Sequence, residues 1–208
     1  MVALPNEMPR QPTLSVASNR NQGADHPATD LSRFRVGGYR AGPLWKVVLW
    51  YPINYYLFDT PIPWPSRLKV GILRLFGADI GKGVVIKPNV RIKNPWRLRM
   101  GNHSWIGESV WIDNMEDVVI GCHVNLSQGV ILLTGNHDYT QSNFAFRLAK
   151  ITLEDGVWIG ARSVVCPGVT CRSHAVLSVN SVASKPLEPW TVYAGNPAVP
   201  VRPRVMSA

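Results

Sequence analysis

The chain has 208 residues, 46% of them hydrophobic, and 22 Lys and Arg against 13 Asp and Glu give a formal net charge of +9. That length supports one good core and one folding unit. The charge favours an anionic partner, but the cations are scattered with no dense run between aromatics, which sets nucleic acid aside. Three cysteines, none in a CxxC spacing, argue against a disulfide framework or a zinc knuckle and fit reduced thiols in a cytoplasmic protein.

Residues 1–32 are rich in Pro, Asn, Gln, Ser and Ala and hold no apolar run, so they read as a disordered tail rather than a signal peptide. Residues 33–77 read as a helical cap. Within them, "PLWKVVLWYPINYYLF" is apolar and aromatic, too short to span a bilayer, and interrupted by Pro52. It predicts a kinked helix packed over whatever follows, with a helix lying in a membrane interface as the alternative. After "TPIPWP", Ser66 is placed to cap a short helix with Leu68, Ile72 and Leu75 on one side, and Gly77 ends it.

From residue 78 to 187 an aliphatic or small residue returns at every sixth position, with two extra residues after each of the first two triplets. Ile80, Ile86 and Ile92 begin the series, then Met100, Ile106 and Ile112, then Ile120, Leu126 and Leu132. The period is lost over residues 134–150 and resumes at Leu153, Ile159, Val165, Cys171, Leu177 and Ala183. Six fits neither a helix nor simple strand alternation, but it suits a coil with three flat sides and one inward residue on each. Valines at 84, 90, 110, 124, 130, 164 and 182 are expected to pack in the same corner of each coil. Trp105, Trp111 and Trp158 directly precede inward residues and should face outward, as a subunit interface or a ligand wall. The helical segment would then shield the open end of the solenoid, and residues 188–208 form a C-terminal extension.

The interruption carries "TGNHDYT", and loops on a rigid scaffold are where function tends to sit. His103, His123 and His174 each fall three residues after an inward position and so line one edge of the solenoid. Stacked imidazoles are a possible metal site, although the motif of the β-helical carbonic anhydrases, two histidines five apart, is missing.

The hexads, "TGNHDYT", "VWIGARSVVCPGVT" and "VYAGNPAVPVR" together resemble the hexapeptide-repeat acetyltransferases. "LKVGILRLFGADIGKGVVIKP" and "PWRLRMGNHSWIGESVWIDN" are most similar to the colanic acid biosynthesis acetyltransferases within the galactoside and maltose O-acetyltransferase group. The resemblance implies an all-β left-handed parallel β-helix with N-terminal helical segments and one inserted loop. It also implies a homotrimer with active sites between subunits, acetyl-CoA as co-substrate and a sugar as acceptor, with no metal. His137 matches the catalytic histidine, with Asp138 or Asp113 as candidates to orient it. Asn114, Asn136 and Trp111 are candidates to meet the acceptor. Trp158, Ala161, Ser184, Lys185 and Arg202 match positions around the coenzyme, with the Ala161 amide as an oxyanion donor. Gly107 stands where the galactoside enzymes carry an asparagine, which implies other acceptors than simple galactosides. The implied activity is O-acetylation of a surface polysaccharide or its lipid-linked precursor, in the cytoplasm with possible peripheral membrane contact. A metal-dependent lyase of carbonic anhydrase type and a non-catalytic membrane-associated scaffold are the alternatives.

Overall fold

The computed structural model describes residues 28–207. Short strands stack in parallel on three faces. The first face comprises Asp79–Ile80, Leu98–Met100, Val118–Ile120, Ile151–Leu153 and Thr170–Cys171. The second comprises Val85–Ile86, Trp105–Ile106, Asn125–Leu126, Trp158–Ile159, Val176–Leu177 and Thr191–Gly195. The third comprises Arg91–Ile92, Trp111–Asp113, Ile131–Leu133, Val164–Val165 and Val182–Ala183. Ile80 pairs with Met100, Ile86 with Ile106 and Ile92 with Ile112, so each hexad is one side and three hexads make one turn of a left-handed parallel β-helix.

Every inward hexad residue is at most 4% exposed, and the stacked side chains form a continuous column. Burying each large member contributes about 1.5–3 kcal/mol. Burial pushes the Cys171 thiol up to about 12, which leaves it protonated and unreactive. Five valines pack inward as expected, but Val164 and Val182 stand one residue rather than two before their inward neighbours and are only half-buried. Ser163 and Ser181 take the inner places. The Ser163 hydroxyl donates to the Ser178 carbonyl at 2.7 Å and accepts from the Ser181 amide at 3.2 Å, so each polar atom stitches one coil to the next.

The first coil has an unpaired edge, and the N-terminal segment satisfies it atom by atom. Helix α1, Leu44–Ile53, runs through Pro52 into a π-helical turn, Asn54–Phe58, and α2 is Ser66–Leu75. Trp50 Nε1 donates to the Ile92 carbonyl at 2.7 Å, and the Phe58 carbonyl accepts from Val90 N–H at 3.0 Å. From α2, Lys69 Nζ donates to the Lys87 carbonyl at 2.9 Å and Arg74 Nη2 to that of Ile80 at 2.6 Å. Such an edge left bare would template aggregation.

Two details of α2 depart from the sequence reading. Ser66 does not cap the helix; its hydroxyl accepts from Ile86 N–H at 3.0 Å, binding the solenoid instead. The buried stripe is Lys69, Val70 and Leu73, whereas Leu68 and Leu75 are exposed and Ile72 is partly buried. Lys69 departs from the rule that a cation rarely lies inside: its stem fills the seam while desolvation lowers its pKa. Gly77 does end the helix, at φ +99°, with Gly77 N–H bonded to Arg74 and Ala78 N–H to Leu73.

Most of the expected tail, residues 1–27, lies outside the described residues. Its last part is not loose: Asp30 N–H donates to the Ser142 carbonyl at 2.8 Å, and Leu31–Arg33 make one helical turn. At the other end, Thr191–Gly195 extends the second face beyond residue 187, pairing Val192 with Val176. Ala198–Pro203 then folds back antiparallel over it. Alternation without the hexad marker hid this last strand.

Candidate active site

The interruption of the repeat is a hairpin in which Gly135–His137 pairs antiparallel with Phe146–Leu148. Its tip is held by Asp138, whose carboxylate accepts from the Thr140 hydroxyl and amide and from Gln141. The Thr140 bonds hold the Asp138 carboxyl below its ordinary pKa. Asp138 therefore serves the turn and does not orient His137. That role falls to a backbone group: His137 Nδ1 lies 2.8 Å from the Phe144 carbonyl. A carbonyl only accepts, so Nδ1 carries the proton and Nε2 is left as the basic nitrogen. Phe144, at φ +53°, also stacks on the imidazole at 4.4 Å, and Phe34 and Phe146 close round it at 5.8 and 4.8 Å.

His137, Asn136 and Asp113 line one cavity of about 410 Å³ with Lys93, Tyr39 and Met115. Asn136 reaches it from the hairpin, where its Oδ1 accepts from the His137 amide at 2.8 Å. Asp113 belongs to the third face, and Lys93 Nζ sits 2.8 Å from its Oδ1 as a charge contact without hydrogen-bond alignment. Asp113 thus faces the histidine's cavity but is engaged by Lys93 and does not orient the ring. Asn114 is removed from the site altogether. It is fully buried, accepting from Asn94 N–H at 2.9 Å and donating to the Asn94 carbonyl at 2.6 Å, so it is a ladder rung with no group for an acceptor. Trp111, 41% exposed, walls an adjoining cavity of about 460 Å³ that shares Tyr39, Lys93 and Asp113 with the first.

On the second face, Trp158, Ala161 and Arg202 line a cleft of about 680 Å³ together with Ser178 and Arg204. Trp158 Nε1 is fixed by the Ser127 hydroxyl at 2.9 Å. Gly160 and Arg162 spend their amides on the Leu177 and Gln128 carbonyls. Among the described residues the Ala161 amide has no backbone acceptor of that kind, which leaves it free to donate. Ser184 and Lys185 are exposed at the end of the third face and do not line this cleft. A Cβ at Gly107 would lie 2.7 Å from the Leu126 carbonyl oxygen and 2.8 Å from Ser127 C, so the coil below excludes a side chain. Gly107→Asn should therefore lower stability by about 1–3 kcal/mol, seen as a reduced Tm, instead of restoring a galactoside-type site.

The edge histidines are corner residues at φ +56° to +62°, in one column with Gly156 and Trp190. His103 stacks on His123 at 5.4 Å, but His174 stacks on Trp190 at 4.1 Å, beyond the Gly156 rung. Among the described residues no three His, Cys, Asp or Glu side chains converge as a metal site.

No family profile matches the chain. It is 38% identical over 177 residues to the colanic acid biosynthesis acetyltransferase WcaF of Escherichia coli K12, covering 85% of this chain and 97% of that protein. The chain belongs to the hexapeptide-repeat acetyltransferases. The galactoside O-acetyltransferase of the same organism is 26% identical over 150 residues, covering 71% and 74%. In fold, this acetyltransferase matches a galactoside acetyltransferase in complex with coenzyme A at TM-score 0.69, 22% identity and coverage of 77% and 81%. It matches a hexapeptide-repeat acetyltransferase of Vibrio cholerae at TM-score 0.67, 24% identity and coverage of 78% and 90%.

In this acetyltransferase the structure brings His137, Asn136 and Asp113 together and, separately, Trp158, Ala161 and Arg202. Sequence reasoning missed Phe144, Phe34, Lys93 and Tyr39. Only Phe144 was signalled, by lying inside the loop that interrupts the repeat.

Proposed function

We propose that the protein moves an acetyl group from acetyl-CoA to a sugar hydroxyl during surface polysaccharide synthesis of the colanic acid kind. The observation that carries this reading is His137, held by the Phe144 carbonyl so that Nε2 is its basic nitrogen, in the lining of a cavity of about 410 Å³. Nε2 takes the acceptor's proton as its oxygen attacks the thioester carbonyl. The oxyanion is met by the Ala161 amide, and the leaving thiolate receives the proton back from the imidazolium. The names of WcaF and the galactoside enzyme support a sugar acceptor, and the coenzyme A complexes of its structural neighbours support the donor. In the cleft, Arg202 is an apt partner for a coenzyme phosphate. Ser184 and Lys185 would meet coenzyme only from elsewhere in an assembly.

The base and the oxyanion donor lie in cavities that share no residue. A homotrimer in which the hairpin of one subunit meets the second face of the next unites them. Trp105 and Trp158, 50% and 45% exposed on that face, supply apolar surface for the contact. A cytoplasmic enzyme, with peripheral contact at the inner face of a membrane, completes the reading, and the three free cysteines suit it. The test is thiol release from acetyl-CoA across a panel of nucleotide sugars and oligosaccharide repeat units, with mass spectrometry of the acceptor. An acetylated sugar is expected. Thioester loss with no acetylated product from any sugar would overturn the assignment.

A further inference from the structure

We propose that the outer face of α1 and the turn after it dock on an anionic lipid bilayer, so that the cavity behind α1 receives an acceptor carried by the same membrane. Leu44, Trp45, Val48, Leu49, Tyr55 and Tyr56 are 51–77% exposed. Their spacing of four and seven places them on one side of the helix and its π-helical continuation. Tyr51 and Pro52 are also exposed. No charge interrupts the stripe, since Lys46, the one charged residue between 44 and 58, turns inward to the Phe76 carbonyl at 3.2 Å. Water is a poor solvent for such a surface, and Trp and Tyr rings suit the headgroup layer.

Charge selects the occupant. Residues 28–100, which hold the cap and first coil, carry 13 Lys and Arg against 3 Asp and Glu, while residues 101–207 carry 7 against 8. Nearly all the cationic excess of the chain therefore belongs to the end that bears the apolar stripe. A second copy docked there would bring two segments of the same net charge together; an anionic leaflet complements both the apolar face and the net positive charge of the segment that bears it.

The other side of the same segment contributes Val47, Trp50 and Asn54 to the cavity walled by Trp111, which shares Tyr39, Lys93 and Asp113 with the cavity of His137. A glycan held by a lipid in that leaflet would thus enter beside the helix and present a hydroxyl to the imidazole. This consequence rests on the acetyl-transfer reading; the docking itself does not.

The test is co-sedimentation of the full chain with phosphatidylcholine vesicles, with and without phosphatidylglycerol, alongside V48E/L49E and, as a second variant, Y55S/Y56S. Binding to the anionic vesicles should exceed binding to neutral ones by about tenfold or more, weaken as salt rises, and fall by a similar factor in both variants. Thiol release with a soluble acceptor should be unchanged in both. Equal vesicle binding by wild type and variants would overturn the proposal. So would loss of the native oligomer in sedimentation velocity, which would make the stripe a subunit interface. Turnover without vesicle binding sinks the docking alone, and vesicle binding without turnover sinks the acetyl-transfer reading alone.

Discussion

Alanine at His137 is expected to lower kcat for acetyl transfer by about 10²–10⁴-fold, the range that a positioned general base supplies. The loss should fall on kcat with little change in the affinity for acetyl-CoA, because His137 acts on the acceptor's proton and is not among the residues that line the coenzyme cleft. A sugar hydroxyl is almost entirely protonated at neutral pH, so attack on a thioester needs its proton removed as the bond forms. The geometry leaves one nitrogen for the task, since Nδ1 is committed to the Phe144 carbonyl. Asp138→Asn is the informative companion. Its carboxylate binds Thr140 and Gln141 and makes no contact with the imidazole, so the variant should keep most of its activity. Stopped turnover in Asp138→Asn with normal turnover in His137→Ala would reverse the roles assigned to them. Coenzyme binding by isothermal titration and kcat by thiol release separate the two effects.

The hexads were legible because burial acts on one residue in six with no alternative partner. Ile106, Ile112, Leu126 and Leu132 had to be apolar, and each is fully buried. The position of His137 was legible for the opposite reason, as a break in that regularity. What was not legible depends on directions in space that periodicity does not encode. Asn114 and Asp113 are neighbours in sequence on the same strand end, yet Asn114 turns wholly inward to Asn94 while Asp113 faces the cavity. A polar pair at a corner reads the same either way. The orienting group of His137 was sought among side chains and proved to be a main-chain carbonyl, which carries no residue-type signal. Lys69 and Leu75 exchanged places for a similar reason: a long aliphatic stem with an amine at its tip both fills the seam and reaches the Lys87 carbonyl, which a leucine does not. The charge asymmetry, by contrast, was present in the sequence throughout and gained meaning only once α1 was seen to leave its outer side uncovered.

Trp50→Ala is expected to be the most destabilising single change in the cap, costing about 3–5 kcal/mol as a large aromatic truncation in a packed site. Trp50 is 2% exposed, its ring lies 5.2 Å from those of both Phe58 and Phe76, and its Nε1 donates to the Ile92 carbonyl on the edge of the first coil. Truncation removes three things at once: the aromatic packing between α1 and α2, the bond to a strand edge, and the cover over the end of the apolar column. For a chain of this size a loss of that magnitude lowers Tm by roughly 6–20 °C, measurable by calorimetry. Leu49→Ala, one residue away but on the uncovered side of α1, should shift stability by no more than about 0.5 kcal/mol. The contrast matters because both residues are large, apolar and adjacent. A Leu49 effect as large as that of Trp50 would mean that the outer face is already packed against protein. If only Trp50 matters, α1 is anchored by one side, and its apolar outer side remains available for a second partner.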